Sequence, residues 1–245
     1  MEYNTIIILQ LLLAHVLTDF VFQSKKMVEH KRTYKARSWF LYVHSILAGV
    51  LTYIILQEWS HFLVPVGIMI THFLIDLWKL HQKEDNLQYF LIDQFFHGII
   101  LIIAWLYLIN GFSNVFPEIR TFFTSTEKLV VLIGYLIVIF PVGFIIGKAT
   151  ERWQKEIAKE EEQSSLKKAG RYIGIFERIL VLTFILSSNF SAIGFLIAAK
   201  SILRFSDSKG GRKQTEYVLI GTLMSFAICI AVGLLILYIL RQQAI

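Results

Sequence analysis

The sequence predicts an all-α polytopic membrane bundle of about eight transmembrane helices, or seven if residues 172–205 form a re-entrant segment. Three observations carry that expectation. Of 245 residues, 56% are apolar or aromatic and the mean hydropathy is +0.60, whereas soluble domains sit nearer 45–50% apolar even with glycine counted. The apolar residues gather in runs long enough to cross a bilayer core, which takes about 20 helical residues. The basic residues fall on alternate loops, as membrane topology requires. With charged residues at 17% and aromatics at 14%, the composition excludes a disordered chain. A single cysteine, Cys229, excludes a disulfide scaffold and reads as inert packing in an apolar run.

The elements follow in order along the chain. The first apolar run covers 5–23. Residues 1–4 are not basic and no small-residue cleavage site follows it, so it is expected to stay as a span rather than leave as a signal peptide. Runs at 38–57, 61–80, 87–110 and 128–147 supply four more spans. Residues 148–171 contain Lys-Glu-Ile-Ala-Lys-Glu-Glu-Glu-Gln and no proline, a composition that favours a cytoplasmic linker helix. The stretch 172–205 is apolar but broken at Ser187-Ser188-Asn189. Its two pieces, 172–187 and 190–205, are near the lower length limit for a span, and a re-entrant hairpin remains open. A last run at 215–240 closes the chain. The domains are then a membrane half over 1–147, a linker over 148–171 and a second membrane half over 172–245.

Charge gives the orientation. On the eight-span reading, the odd-numbered loops hold 19 of the 24 lysines and arginines. The opposite side holds only Arg120, Lys128 and Arg241, and Arg178 and Lys200 lie within apolar segments. Positive residues favour the cytoplasm, so both termini are expected outside. The net charge of +6 is then an orientation signal, and no nucleic-acid partner is expected. Trp39, Trp59 and Trp78 fall at span ends, where an aromatic belt belongs, and His30, His61 and His81 fall at loops or membrane edges.

Four spans carry ionisable residues where water is scarce. Span one has His15, Asp19 and then Gln23; span two has His44; span three has His72 and Asp76; span four has Asp93, Gln94 and His97. Each His/Asp pair is spaced i to i+4, placing both side chains on one helix face about 6 Å apart along the axis. Spans one and three run inward and read His then Asp, while span four runs outward and reads Asp then His. Every aspartate therefore lies roughly 6–9 Å from the cytoplasmic end of its span, and the histidines lie roughly 9–15 Å in.

A lone histidine in such a position would read as a hydrogen-bonded tie between helices. A layer of four histidines and three aspartates instead points to a site, because ionisable groups in hydrocarbon are costly and crowded carboxylates need a cation or protons between them. Imidazole and carboxylate together suit zinc, manganese or iron, and these seven residues can hold one or two divalent ions. One of Asp19, Asp76 and Asp93 would remain as a general base, with Gln23, Lys79 and Gln94 as supporting partners.

A second polar group lies in the C-terminal half. Arg178, Lys200 and Arg204 are candidate ligands for a phosphate or lipid headgroup. The alternative has Glu177 and Glu216 pairing with Arg178 and Lys200, and Arg204 reaching the headgroups.

The pieces AHVLTDFVFQ (14–23), THFLIDLWK (71–79) and DQFFH (93–97) resemble the bacterial polytopic membrane proteins grouped as DUF3307. The pieces GRYIGIFER (170–178), IAAKSILRF (197–205) and EYVLIGTLMS (216–225) resemble the C-terminal extension of some members. The resemblance implies a bacterial inner-membrane setting and no activity. More loosely, the His/Asp-rich half is similar to inner-membrane proteins labelled metal-dependent hydrolases. The leading expectation is thus a membrane-embedded, metal-dependent hydrolase acting at the cytoplasmic leaflet on a lipid or phosphate-containing substrate. A cation- or proton-coupled transporter is one alternative, and a receptor or assembly protein binding an anionic ligand is another.

Overall fold

The computed structural model describes residues 2–84, 86–153, 166–205 and 212–243. The side chains at 166–169, 203–205, 212–215 and 218 are outside that description. The described residues are all-helical and form two compact units, Met1–Glu118 and Ile119–Ile245. Among the described residues, six helical stretches are long and apolar enough to cross a membrane: Glu2–Val21, Trp39–Leu56, Leu63–Leu80, Leu87–Leu108, Thr126–Ala149 and Leu219–Gln242. Phe190–Ile202 is apolar but shorter.

In the first unit, α1 (Glu2–Val16) continues into a π-helical turn, Leu17–Val21. A short helix, α2 (Lys25–Tyr34), follows where the sequence suggested a loop. Ser24 starts it, its hydroxyl accepting from the Met27 amide at 3.4 Å, an N-cap that satisfies one otherwise orphaned donor. Helices α3 (Trp39–Leu56), α4 (Leu63–Leu80) and α5 (Leu87–Leu108) then close a ring with α1, in which α1 packs on α3 and α5, and α4 also packs on both. A Cβ on Gly49 would stand 3.0 Å from both Met69 Cβ and the Pro65 carbonyl, so the glycine lets α3 and α4 approach closely.

This unit is apolar at one end of its interior and polar at the other. Ile7, Leu11, Ala48, Leu56, Ile68, Leu101 and Leu108 form the apolar core. His44, His72, Asp76, Asp93 and His97 are buried as well, while Leu9, Ile46, Leu74 and Phe95 face outward. Charge inside with large apolar side chains outside suits helices solvated by lipid.

Helix α6 (Phe112–Thr124) was also expected as loop. Phe112, Phe116, Ile119 and Phe123 are exposed on it and recur at the spacing of a single helical face.

In the second unit, α7 (Thr126–Ile139) and α8 (Pro141–Ala149) are one apolar segment broken at Phe140, whose ψ is −70°. Pro141 causes the break, since it has no N–H to donate to the preceding turn. Helix α9 (Leu166–Leu186) packs on α7 and on α11 (Arg212–Gln242), and α10 (Phe190–Phe205) follows α9. The turn between α9 and α10 falls on Ser187-Ser188-Asn189 as expected, with Ser188 at φ 56°. Span five, which the sequence grouped with the first half, belongs to this unit: Val138 joins Val181, Leu182, Ile185, Phe226, Cys229 and Ile236 in its core. The middle of the expected linker, 154–165, is outside the described residues.

Candidate metal centre

Local backbone geometry sets the position of Asp19. The Phe22 amide donates to the Leu17 carbonyl at 2.9 Å, a bond spanning five residues, and the buried Thr18 hydroxyl donates to the Ala14 carbonyl at 2.8 Å. Such π-turns recur at functional sites because they re-aim side chains that a regular helix would place elsewhere. Here the turn brings Asp19 into the ring interior, where it meets His44 from α3 and His72 from α4.

Three atoms form a tight triangle. Asp19 Oδ1 lies 3.4 Å from His44 Nε2 and 3.2 Å from His72 Nε2, and the two nitrogens are 3.1 Å apart. Around a tetrahedral zinc-type ion with bonds of about 2.0–2.2 Å, neighbouring ligand atoms sit about 3.3–3.6 Å apart. The triangle matches that spacing to within about 0.2 Å.

The remaining ionisable residues surround it. Asp76 Oδ2 is 3.7 Å from His44 Nε2, and Asp76 Oδ1 is 3.8 Å from His97 Nε2. His97 Nε2 is also 3.7 Å from Asp93 Oδ1, and the His15 ring centroid lies 5.0 Å from that of His97. All seven His and Asp residues singled out in the sequence are therefore brought together. They offer three overlapping ligand sets: Asp19/His44/His72, Asp19/Asp93/His97 and His15/His72/His97.

Among the described residues, Asp19 Oδ1, His44 Nδ1, Asp93 Oδ1 and His97 Nε2 are buried without a hydrogen-bond partner. Buried polar atoms are nearly always bonded, and three of these, Asp19 Oδ1, Asp93 Oδ1 and His97 Nε2, belong to the ligand sets of the cluster, where they fit a cation between them. A cavity of about 10 Å³ borders the site, lined in part by His15, Thr18, His72 and His97. That is about the room one water needs.

The supporting partners also meet the cluster. Gln23 Nε2 is 3.0 Å from His44 Nε2. Gln94 Nε2 donates to Asp19 Oδ2 and Asp93 Oδ2, each at 3.2 Å, and Gln94 Oε1 lies 3.2 Å from His15 Nε2. Lys79 donates to Asp93 Oδ2 at 2.7 Å.

Lys31 was missed. It read as one more cytoplasmic loop charge, yet α2 folds it inward, where it is 4% exposed and donates to Asp76 Oδ2 at 2.6 Å. Ser24 ahead of a run of helix-forming residues signalled the helix, but nothing in the spacing aimed Lys31 at Asp76. Of the peripheral histidines, His30 Nδ1 meets the Ser38 hydroxyl at 2.8 Å and His81 Nδ1 meets the Leu77 carbonyl at 2.7 Å.

The C-terminal group is arranged differently. Arg178 donates through Nε to the Val138 carbonyl and through Nη2 to the Ile139 carbonyl. Those carbonyls end α7, where the Pro141 break leaves them without helical partners. Gly143 and Gly174 make room for the guanidinium: a Cβ on Gly143 would stand 2.9 Å from Nη2 and one on Gly174 would stand 3.1 Å from Nη1. Lys200 donates to Glu177 at 2.7 Å, the pairing weighed against anion binding, and Glu216 is exposed on α11. The Arg204 side chain lies outside the described residues.

Helices apolar on the outside, closed around buried histidines, carboxylates and ammonium groups, define a polytopic helical membrane protein with a polar interior site. Comparison with known families gives the particular group: a model described as a protein of unknown function, DUF3307, matches residues 7–130, just over half of the chain, and the protein belongs to that family. The matched segment contains all seven His and Asp residues and both lysines paired to them, Lys31 and Lys79. No curated protein and no solved structure matches.

Proposed function

We propose that the protein is a membrane-embedded, metal-dependent hydrolase that holds a zinc-type divalent ion on Asp19, His44 and His72. The triangle of 3.1, 3.2 and 3.4 Å beside a water-sized cavity is the observation that supports it. Structural zinc sites use four protein ligands, whereas catalytic sites keep three and leave a position for water or substrate. An ion there would supply Lewis acidity and a water that ionises near neutral pH. Asp76 or Asp93 would then take the water's proton as general base. Gln94 holds Asp19 through its second oxygen, Oδ2, the role that outer partners play around metal ligands, whereas Gln23 meets His44 at Nε2 itself and gives way when an ion takes that nitrogen.

The substrate in this reading is a lipid or another phosphate-containing molecule reaching the site from the cytoplasmic leaflet. The chain sits as eight spans in a bacterial inner membrane with both termini outside, an orientation supported by its one-sided lysines and arginines. The bilayer is its standing partner.

One observation favours a second reading. Two ammonium groups, Lys31 and Lys79, already neutralise two of the three carboxylates, as built-in counter-ions do in transporters that exchange them for a cation.

The two readings separate in proteoliposomes containing the purified chain. Hydrolysis of a phospholipid panel that depends on added zinc and is lost in His72→Ala supports the enzyme. Zinc or proton flux without hydrolysis, lost in Asp93→Asn, supports the transporter and overturns the enzyme.

A further inference from the structure

The cluster has more ligands than one ion uses, and its charge decides what the rest can hold. With neutral imidazoles, Asp19, Asp76 and Asp93 carry three negative charges, and Lys31 and Lys79 return two positive ones. One divalent ion on Asp19, His44 and His72 turns the remaining negative charge into a positive one. A second would leave three positive charges buried together, which low-dielectric surroundings penalise heavily. A second ion therefore enters only if an ammonium leaves.

The two lysines differ in their freedom to do so. The Lys31 side chain is 5% exposed and enclosed with Asp76. The Lys79 side chain is 28% exposed and sits in the last turn of α4. Its Nζ lies 5.3 Å from the centre of the Phe90 ring, which gives the ammonium an attractive face when it lets go of Asp93. Behind it, Asp93 Oδ1 and His97 Nε2 are both buried, partnerless and 3.7 Å apart. Asp19 belongs to this set as well as to the first, the position of a carboxylate shared between two ions.

We infer that Asp93, His97 and Asp19 form a second divalent-cation subsite for which the Lys79 ammonium is the resident competitor. Two carboxylates and one imidazole make it richer in oxygen than the first site, a donor set that suits manganese better than the first site does. Closing the 3.7 Å gap onto an octahedral ion, whose neighbouring ligand atoms sit about 3.1 Å apart, requires a shift of about 0.6 Å. With Asp93 as a ligand, Asp76 remains as the general base. The inference rests on the metal reading proposed above and adds to it the place, the ion class and the control of a second ion.

The test is manganese binding to the zinc-treated full-length chain in detergent, read from the electron paramagnetic resonance signal of free Mn²⁺, with zinc content measured on every sample. Lys79→Gln should bind Mn²⁺ at least ~10-fold more tightly than wild type, because the competitor is gone, and Lys79→Gln/His97→Ala should lose that gain. Equal Mn²⁺ affinity in wild type and Lys79→Gln, with zinc retained in both, would overturn the inference and leave the first site standing. A gain that survives His97→Ala would overturn it too. Should Lys79→Gln fail to fold, Asp93→Asn decides: it should keep zinc and lose Mn²⁺, and wild-type Mn²⁺ affinity in that variant would contradict the subsite. A wild-type chain that binds neither ion overturns both readings.

Discussion

The two units solve the burial of helices in opposite ways. The interior of Met1–Glu118 encloses histidines, aspartates and Lys31, with the part-exposed Lys79 paired to Asp93. The interior of Ile119–Ile245 is built from Val138, Leu182, Ile185, Phe226 and Ile236, with Gly134 receiving Ile236 and Gly233 receiving Ile185. Its buried guanidinium, Arg178, is used on two backbone carbonyls that a proline break sets free. The second unit shows that helices of this composition pack around a core that is apolar apart from one arginine tied to the backbone. The charged interior of the first unit is therefore not a requirement of folding, and its cost in a low-dielectric setting points to a site.

The sharpest way to break this contrast is to remove a central ligand. Asp19→Asn or His72→Ala should weaken zinc binding by more than about 100-fold, beyond the effect of outer partners, as read by competition with a chelator. Little loss would mean that the triangle is a hydrogen-bonded tie, no different in kind from Arg178. The reciprocal change, Arg178→Met, should lower stability by about 3 kcal/mol in detergent melting, because two carbonyls lose their donors away from water, while zinc affinity stays at the wild-type value. Gln94→Leu tests how the first unit holds its carboxylates: zinc affinity should fall about 10- to 100-fold with the fold intact. The smallest effect belongs to Gly134→Ala, whose new Cβ would clash with Ile236 Cδ1. Overpacking there should cost about 1–3 kcal/mol and leave metal binding unchanged.

Much of the first unit was legible because its signals are local. Run length gave the spans, and the i, i+4 spacing of His15/Asp19, His72/Asp76 and Asp93/His97 put each pair on one face of a helix. The antiparallel order of the pairs placed the aspartates at one level, and the structure joins them. What escaped depends on contacts across the chain or on backbone irregularity. The π-turn at Leu17–Val21 leaves no periodic signature in so short a stretch, and Lys31 meets Asp76 only through the docking of α2. Span five reads as one apolar run over 128–147, so its break at Pro141 escaped, and that α9 brings Arg178 to the freed carbonyls is a property of packing. The same residue therefore read equally well as an anion ligand.

The most direct measurement of the central claim is elemental analysis of the full-length chain purified from the membrane without chelator, beside Asp19→Asn and His72→Ala prepared identically. The account predicts stoichiometric zinc in the wild type and its loss in both variants, with all three monodisperse and equally helical. A wild type without a transition metal, or variants that retain the wild-type content, would contradict it.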